Sequence, residues 1–133
     1  MLRTAAKLDN LPTMLTAVRD FLTKHEVVSE ICEEIALATE EILVNIIAYA
    51  YPETPGDIEI RWHITSDKKL VIEITDWGIP FDPRHVPEPN IDLPLENLKA
   101  GGLGIWIVRN LTEELHYRRE NEKNILTLIF DLP

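Results

Sequence analysis

The fold of this chain is decided by the stretch SEICEEIALATEEILVNIIAYAY, which runs from Ser29 to Tyr51. Its apolar residues recur at steps of three and four, which predicts one long helix with a face toward a core. The stripe comprises Ile31, Ile35, Ala38, Ile42 and Tyr49. Asn45 interrupts it, although an amide on an inner face needs partners for its donors and acceptors. Glu41 projects beside it from one turn earlier. Glu41 and Asn45 together therefore indicate a functional site. The alternative, which periodicity alone favours, is that Glu41 is solvated and Asn45 is a core amide with its hydrogen bonds satisfied.

Length and charge restrict the class of protein. The 133 residues suit one domain, 1–133, and a hydrophobic content of 45% is ordinary for a globular chain. A formal net charge of −10 argues against a nucleic-acid-binding surface and against an anionic membrane as partner. It is compatible with an anionic nucleotide, because a metal ion and backbone N–H groups supply local positive potential.

Cysteine content and hydropathy favour a cytoplasmic protein. The single cysteine, Cys32, excludes an internal disulfide and any multi-cysteine metal site. Residues 1–13 contain no apolar run of signal-peptide length. No stretch reaches the roughly 20 apolar residues of a membrane span. We therefore expect a reducing, cytoplasmic setting.

Periodicity elsewhere predicts an α+β domain. A first helix is expected with Asp9 or Asn10 as its cap, and Ser29 is expected to cap the long helix. Alternating apolar and polar residues predict four or five strands, two of which form a hairpin. The strand segments are 2–8 at an edge, 58–64, 70–75, 116–119 and 125–132. A last helix follows the glycines that end at Gly104. These elements predict a two-layer sandwich, with a mostly antiparallel (mixed) sheet and about three helices on one face.

Two glycine-containing segments supply further candidate binding groups. In Asp76-Trp77-Gly78, at a predicted strand end, the aspartate can accept from an exocyclic amine while the glycine lets a flat ring approach. Taken alone, this segment is better explained as a turn. Gly102-Leu103-Gly104 opens a predicted helix, whose free N–H groups can bind phosphate. Alone, it is equally a hinge, and it lacks the Lys-Ser/Thr of a P-loop and the third glycine of a dinucleotide fingerprint.

A long connection precedes the second glycine segment. Residues 84–100 contain three prolines and weak periodicity, with at most a helical turn at 95–98. A loop of this length in a compact domain is either functional or disordered. Because glycines at its end permit hinging, we expect a lid over about residues 84–104 that is mobile without nucleotide.

The order and spacing of these parts resemble the Bergerat-type ATP-binding fold of gyrase, the ninety-kilodalton heat-shock chaperone, histidine kinases and mismatch-repair ATPases. Three segments of this chain resemble the three sequence motifs, or boxes, of that family. In order they are EEILVNIIAYAY, TDWGIPFDP and LENLKAGGLGIWIVRNLTEELHY. The closer similarity is to a small stand-alone branch, the bacterial anti-sigma-factor serine/threonine kinases. It covers nearly the whole chain.

The resemblance implies a role for particular residues. Glu41 is expected to be the general base toward the substrate hydroxyl, and Asn45 the Mg²⁺ ligand. Asp76 is expected to bind adenine, with Gly78 beside the ring. The other expected nucleotide-binding residues are Lys99 near the terminal phosphates, Gly102, Leu103 and Gly104 in the lid, and Thr127 near the adenine.

The branch implies an ATP- and Mg²⁺-dependent protein serine/threonine kinase. Its expected substrate is an anti-sigma-factor antagonist in a partner-switching pathway, and many members also bind a sigma factor, often as dimers. The alternative is a catalytically silent module that binds ATP or ADP and sequesters a protein partner. The catalytic piece of a two-component sensor is disfavoured, because none of the four histidines lies in a phosphoacceptor helical hairpin.

Three positions depart from the branch's usual residues. Tyr49 stands where many relatives carry histidine, Val44 where threonine or serine is common, and Trp77 where smaller or charged residues are frequent. None of the three removes an expected phosphate or metal contact. The departures therefore leave the specific partner open.

Overall fold

Three helices and a five-stranded sheet make up the part of the chain that the computed structural model describes, residues 1–82 and 100–133, with only the backbone for 100–103. In chain order the elements are β1 (Leu2–Ala5), a 3-10 turn (Leu8–Asn10), α1 (Leu11–Lys24), α2 (Ser29–Tyr49), β2 (Asp57–Ile64), β3 (Lys69–Asp76), α3 (Ala100–Leu111), β4 (Glu114–Glu120) and β5 (Lys123–Asp131). The expected α+β architecture is confirmed. None of the helices in these ranges has the length and apolar character to span a membrane.

The sheet has the strand order β1-β2-β3-β5-β4, and each neighbouring pair is antiparallel. The expectation of a mixed sheet is therefore wrong for the described strands. β3 and β4 run in the same direction and are joined across α3, but β5 lies between them. The turn from β4 to β5 consists of Asn121 and Glu122, whose φ values of 50° and 63° suit a two-residue hairpin. This tight turn places β5 directly beside β4 in the antiparallel sense.

One face of the sheet is covered by the helices. Its buried residues are Ile58 and Ile60 of β2, Leu70, Ile72 and Ile74 of β3, and Leu126, Leu128 and Phe130 of β5. The helices contribute Met14, Leu15, Val18 and Leu22 from α1, Ile35, Ala38, Ile42 and Leu43 from α2, and Ile105 and Val108 from α3. The alternation predicted for the strands is thus confirmed, and the buried residues of α1 have the spacing of one helix face.

The helix ends differ from their expected form. The residues before α1 and α2 are Asn10 and Val28, and neither side chain caps its helix. The Asn10 side chain instead donates to the Ala5 carbonyl at 3.0 Å, which ties the end of β1 to α1. Ser29 is the first helical residue and not the cap, because Val28 already has the extended backbone of an N-cap position.

The buried side of α2 also departs from the predicted stripe near its C-terminus. Tyr49 is 57% exposed, so its placement on the inner face is wrong. The buried face continues from Ile42 through Ile46 to Ala50. Because each residue turns the helix by about 100°, this path leaves Tyr49 toward solvent.

Candidate functional site

A cavity lies where the C-terminal half of α2 meets the ends of β3 and β5. Its lining residues are Ile42, Asn45, Ile46, Asp76, Phe81, Tyr117, Asn124 and Leu126. The free volume is about 20 Å³, which is room for about one water molecule. The fold therefore brings two of the expected site residues, Asn45 and Asp76, to one small cavity, whose volume is too small for a nucleotide base.

Asn45 reaches this cavity from the inner face of α2. The residue is 8% exposed, and its Nδ2 has no hydrogen-bond partner among the described residues. An unpaired buried polar atom costs about 1–3 kcal/mol, so a fold seldom retains one without a reason. A half-turn of the amide exchanges nitrogen and oxygen, so this end of the side chain can offer either a donor or an acceptor. The interpretation of Asn45 as a satisfied core amide is therefore not supported.

Glu41 lies one turn before Asn45, where α2 contacts α3. A Cβ added to Gly104 would lie 2.5 Å from Oε2 of Glu41, so the glycine backbone of α3 packs directly against this carboxylate. Burial, and secondarily the negative charge of Glu40, raises the pKa of Glu41. The structure thus brings Glu41 of α2 into contact with Gly104 of the second glycine segment.

The second glycine segment lies within α3 rather than ahead of it. The helix begins at Ala100, so residues 102–104 form part of its opening turns. The first four N–H groups of a helix have no partner within it, which makes this end a suitable place for an anion. Lys99 and the lid residues 84–99 lie outside the described residues, as does the expected helical turn at 95–98.

Asp76 ends β3 and is 4% exposed. Its Oδ1 accepts hydrogen bonds from the Gly78 N–H and from Nδ2 of Asn124, both at 2.9 Å. Among the described residues no hydrogen bond reaches Oδ2. Burial raises the pKa of Asp76, and the two hydrogen bonds and the charge of Arg119 only partly oppose this effect. The residue therefore lines the cavity as a held carboxylate with one oxygen available.

Gly78 is required by contact with the end of α2. A Cβ at this position would collide with the Ala50 carbonyl oxygen, which also accepts from the Ile79 N–H at 2.9 Å. On the other side, Nη1 of Arg119 donates to the Gly78 carbonyl at 2.7 Å. The glycine thus permits close approach of α2, whereas the sequence argument assigned it to the approach of a flat ring.

Thr127 is not at the cavity. It pairs in register with Glu73 of β3 and His116 of β4, on the sheet face away from the helices. Side chains alternate along a strand, so the residues of β5 that face the cavity are Asn124 and Leu126. This placement gives no support to the expectation that Thr127 lies near the adenine, and Asn124 is the β5 residue bonded to Asp76.

Sequence reasoning missed three polar residues around the Asp76 turn. They are Tyr117, Arg119 and Asn124. Asn124 had a detectable signal, because it shares the alternation of Leu126, Leu128 and Phe130 and is the polar member of that inward row. Tyr117 and Arg119 share one face of β4 by the same rule, but no apolar stripe marks that strand.

A profile of the histidine kinase-like ATPase domain matches residues 4–130. The chain belongs to this family. Similar proteins include the serine-protein kinases RsbW of Bacillus cereus and of Bacillus thuringiensis subsp. konkukian, each 30% identical over 98 residues, which span 71% of this chain and 61% of the relative. This histidine kinase-like ATPase domain thus corresponds to about three fifths of the length of the curated relatives it matches.

Solved structures agree with the family. The histidine kinase domain from the Erythrobacter litoralis EL346 blue-light activated histidine kinase superposes with a TM-score of 0.58 at 26% identity, covering 77% of this chain and 45% of that one. The RsbU and RsbW domains of Rv1364c from Mycobacterium tuberculosis give 0.64 at 14% identity, covering 98% of this chain and 32% of that one. The second similarity supports the fold alone. Both agree with the α+β, Bergerat-type ATP-binding fold.

Proposed function

We propose that this domain is an ATP-dependent protein serine/threonine kinase that phosphorylates an anti-sigma-factor antagonist in a partner-switching pathway. The observation that carries the proposal is the position of Glu41, whose carboxylate with a raised pKa lies against Gly104 and one turn from Asn45. The similarity to serine-protein kinases RsbW supports the same reaction class. The proposal also includes three features of the anti-sigma-factor kinases. They are a sigma factor as second partner, a homodimer and a cytoplasmic location.

Asp76 is the proposed anchor for the adenine of ATP. The available Oδ2 can accept a hydrogen bond from the exocyclic amine, and a bond to a carboxylate is about twice as strong as one between neutral groups. The hydrogen bonds to Oδ1 hold the carboxylate while the base binds. Gly78 contributes indirectly, because its contact with Ala50 keeps the turn after Asp76 at this edge of the cavity.

Asn45 is the proposed ligand of Mg²⁺. The unpaired buried atom is Nδ2, and a half-turn of the amide would put its oxygen there, which is a suitable hard ligand when phosphates and water complete the coordination. When bound there, Mg²⁺ would neutralise part of the negative charge of the phosphates. The start of α3, whose opening turns contain Gly102, Leu103 and Gly104, is proposed to face the phosphates with its free backbone N–H groups, and Lys99 to face the terminal phosphate.

Glu41 is the proposed general base. Its carboxylate accepts the proton of the serine or threonine hydroxyl while that oxygen attacks the terminal phosphorus and ADP leaves. Because burial and the charge of Glu40 raise its pKa, Glu41 is a stronger base than a solvated glutamate. The position of Glu41 one turn from Asn45 supports this role, because Asn45 is the proposed ligand of the phosphate-bound Mg²⁺.

The test is Glu41→Ala, with γ-labelled ATP and candidate antagonists of the anti-sigma type. We expect transfer to be abolished while the Kd for Mg-ATP is largely unchanged. Glu34→Ala is the matched control, an exposed glutamate on the same helix. Undiminished transfer by Glu41→Ala would remove Glu41 from the role of base. If the wild-type protein binds ATP but labels no serine on any cognate antagonist, the chain is a silent module that sequesters its partner.

A further inference from the structure

Asn124, the second residue of β5, has a fully paired side chain at the cavity, where it is 4% exposed. Its Nδ2 donates to Asp76 Oδ1 at 2.9 Å and to the Ile79 carbonyl at 2.7 Å. Its Oδ1 accepts from the Tyr117 hydroxyl at 2.6 Å and from the Phe81 N–H at 3.4 Å. These four bonds use both donors and both acceptor lone pairs of the amide. The Ile79 carbonyl only accepts and the Phe81 N–H only donates, so the amide has one allowed orientation.

This fixed amide restricts the Asp76 carboxylate. Asn124 and the Gly78 N–H hold the same oxygen, Oδ1, so rotation of the carboxylate would break two hydrogen bonds. Oδ2 is therefore presented as an acceptor in one direction. A base with an amine at that point gains a hydrogen bond, whereas a base with a carbonyl oxygen there would set acceptor against acceptor. Sites that discriminate in this way do so because a mismatched ligand leaves buried polar groups unpaired.

The turn that follows Asp76 has attachments that do not depend on Asn124. The Ile79 N–H donates to Ala50, and Arg119 donates to the Gly78 carbonyl at 2.7 Å. Loss of the Asn124 amide therefore leaves this turn connected to both α2 and β4. Such a loss also removes the bonds to Ile79 and Phe81, so the orientation of Asp76 is tested by base selectivity and not by stability.

We propose that Asn124 makes this protein selective for nucleotides whose base carries an exocyclic amine, by holding Asp76 in the orientation that accepts from that amine. The inference rests on the proposed ATP binding and adds the group that determines base selectivity. Asn124 acts through Asp76, so it is a positioning residue. Its hydrogen bond also lowers the pKa of Asp76 against the effect of burial, which favours the ionised acceptor.

The experiment compares two nucleotides in the full chain. The Kd values of ATP and of purine riboside triphosphate, which lacks only the 6-amino group, are measured with Mg²⁺ by calorimetry for wild type and Asn124→Ala. We expect the variant to lose about 10- to 100-fold in affinity for ATP, the range for a hydrogen bond to a charged group. Its affinity for the analogue should change little, so the selectivity ratio collapses toward one. Equal losses for both nucleotides would mean a purely structural role and overturn the inference.

Two further variants keep the test decisive. Ile129→Ala weakens the outer face of the same strand and should leave the selectivity ratio unchanged. Should Asn124→Ala fail to fold, Tyr117→Phe removes one hydroxyl that donates to Asn124, and we expect a partial fall in the same ratio. An undiminished ratio in Tyr117→Phe then counts against the inference. Failure of wild type to bind ATP overturns the proposed function itself, whereas ATP binding with unaltered selectivity in the folded variants overturns only the role of Asn124.

Discussion

Gly104→Ala should separate stability from phosphoryl transfer, because the new methyl group points at the proposed base. The added Cβ would lie 2.5 Å from Oε2 of Glu41, while ordinary contact begins at 3.4 Å. The carboxylate must therefore move by 3.4 − 2.5, or about 0.9 Å. A misplacement of about 1 Å can cost about 100-fold in rate, and we expect transfer to fall by that order. Alanine favours a helix over glycine by about 0.8–1.0 kcal/mol, so α3 should become no less stable.

Single-turnover transfer of the labelled phosphate, the Kd for Mg-ATP and a thermal melt measure these effects separately. The decisive control is the same substitution in a Glu41→Gln background. If Gly104 acts through the position of Glu41, the second substitution adds no further loss, since residues that act as a unit are not additive. An equal loss in both backgrounds, or undiminished transfer in the single variant, would refute this explanation. A marked fall in melting temperature would refute the helix argument.

Two other substitutions test the charges of the site. Glu40→Gln removes a negative charge that raises the pKa of Glu41, so the acid limb of the pH–rate profile for transfer should move to lower pH; an unmoved or higher limb would contradict this. Asp76→Asn should lower ATP affinity by about 10- to 100-fold through loss of a charged acceptor. The raised pKa of Asp76 means that its ionised form opposes folding. Urea unfolding should therefore show the variant at least as stable as wild type, with a difference that grows as pH rises through the pKa of Asp76; lower stability at neutral pH would contradict the sign.

The elements themselves were predictable wherever side-chain periodicity is strong. Strands β2, β3 and β5 and the buried face of α1 follow from alternation and from steps of three and four, because burial of one face is a local property of the pattern. The helix ends were less predictable. The Asn10 side chain donates to the Ala5 carbonyl instead of capping α1, because the end of β1 offers its amide another partner. The periodicity of α1 gives no indication of that partner.

The candidate site was partly predictable from residue type and order. Asn45 and Asp76 were identified as polar residues at an inner helix face and a strand end, and the structure places both at one cavity. Thr127 was expected near the adenine only from the family resemblance, and it lies on the face of β5 opposite to Asn124 and Leu126. Asn124 was overlooked although its inward parity was present in the sequence.

The sequence by itself determined the helices and strands, the apolar faces and the polar residues that interrupt them, because each depends on neighbours within a few turns or strand residues. Only the tertiary structure decided which of those interruptions meet. The insertion of β5 between β3 and β4 brings Asn124 to Asp76, and the packing of α3 on α2 brings Gly104 to Glu41. These distances depend on strand order and helix packing, which are set by burial of the whole core rather than by any local pattern.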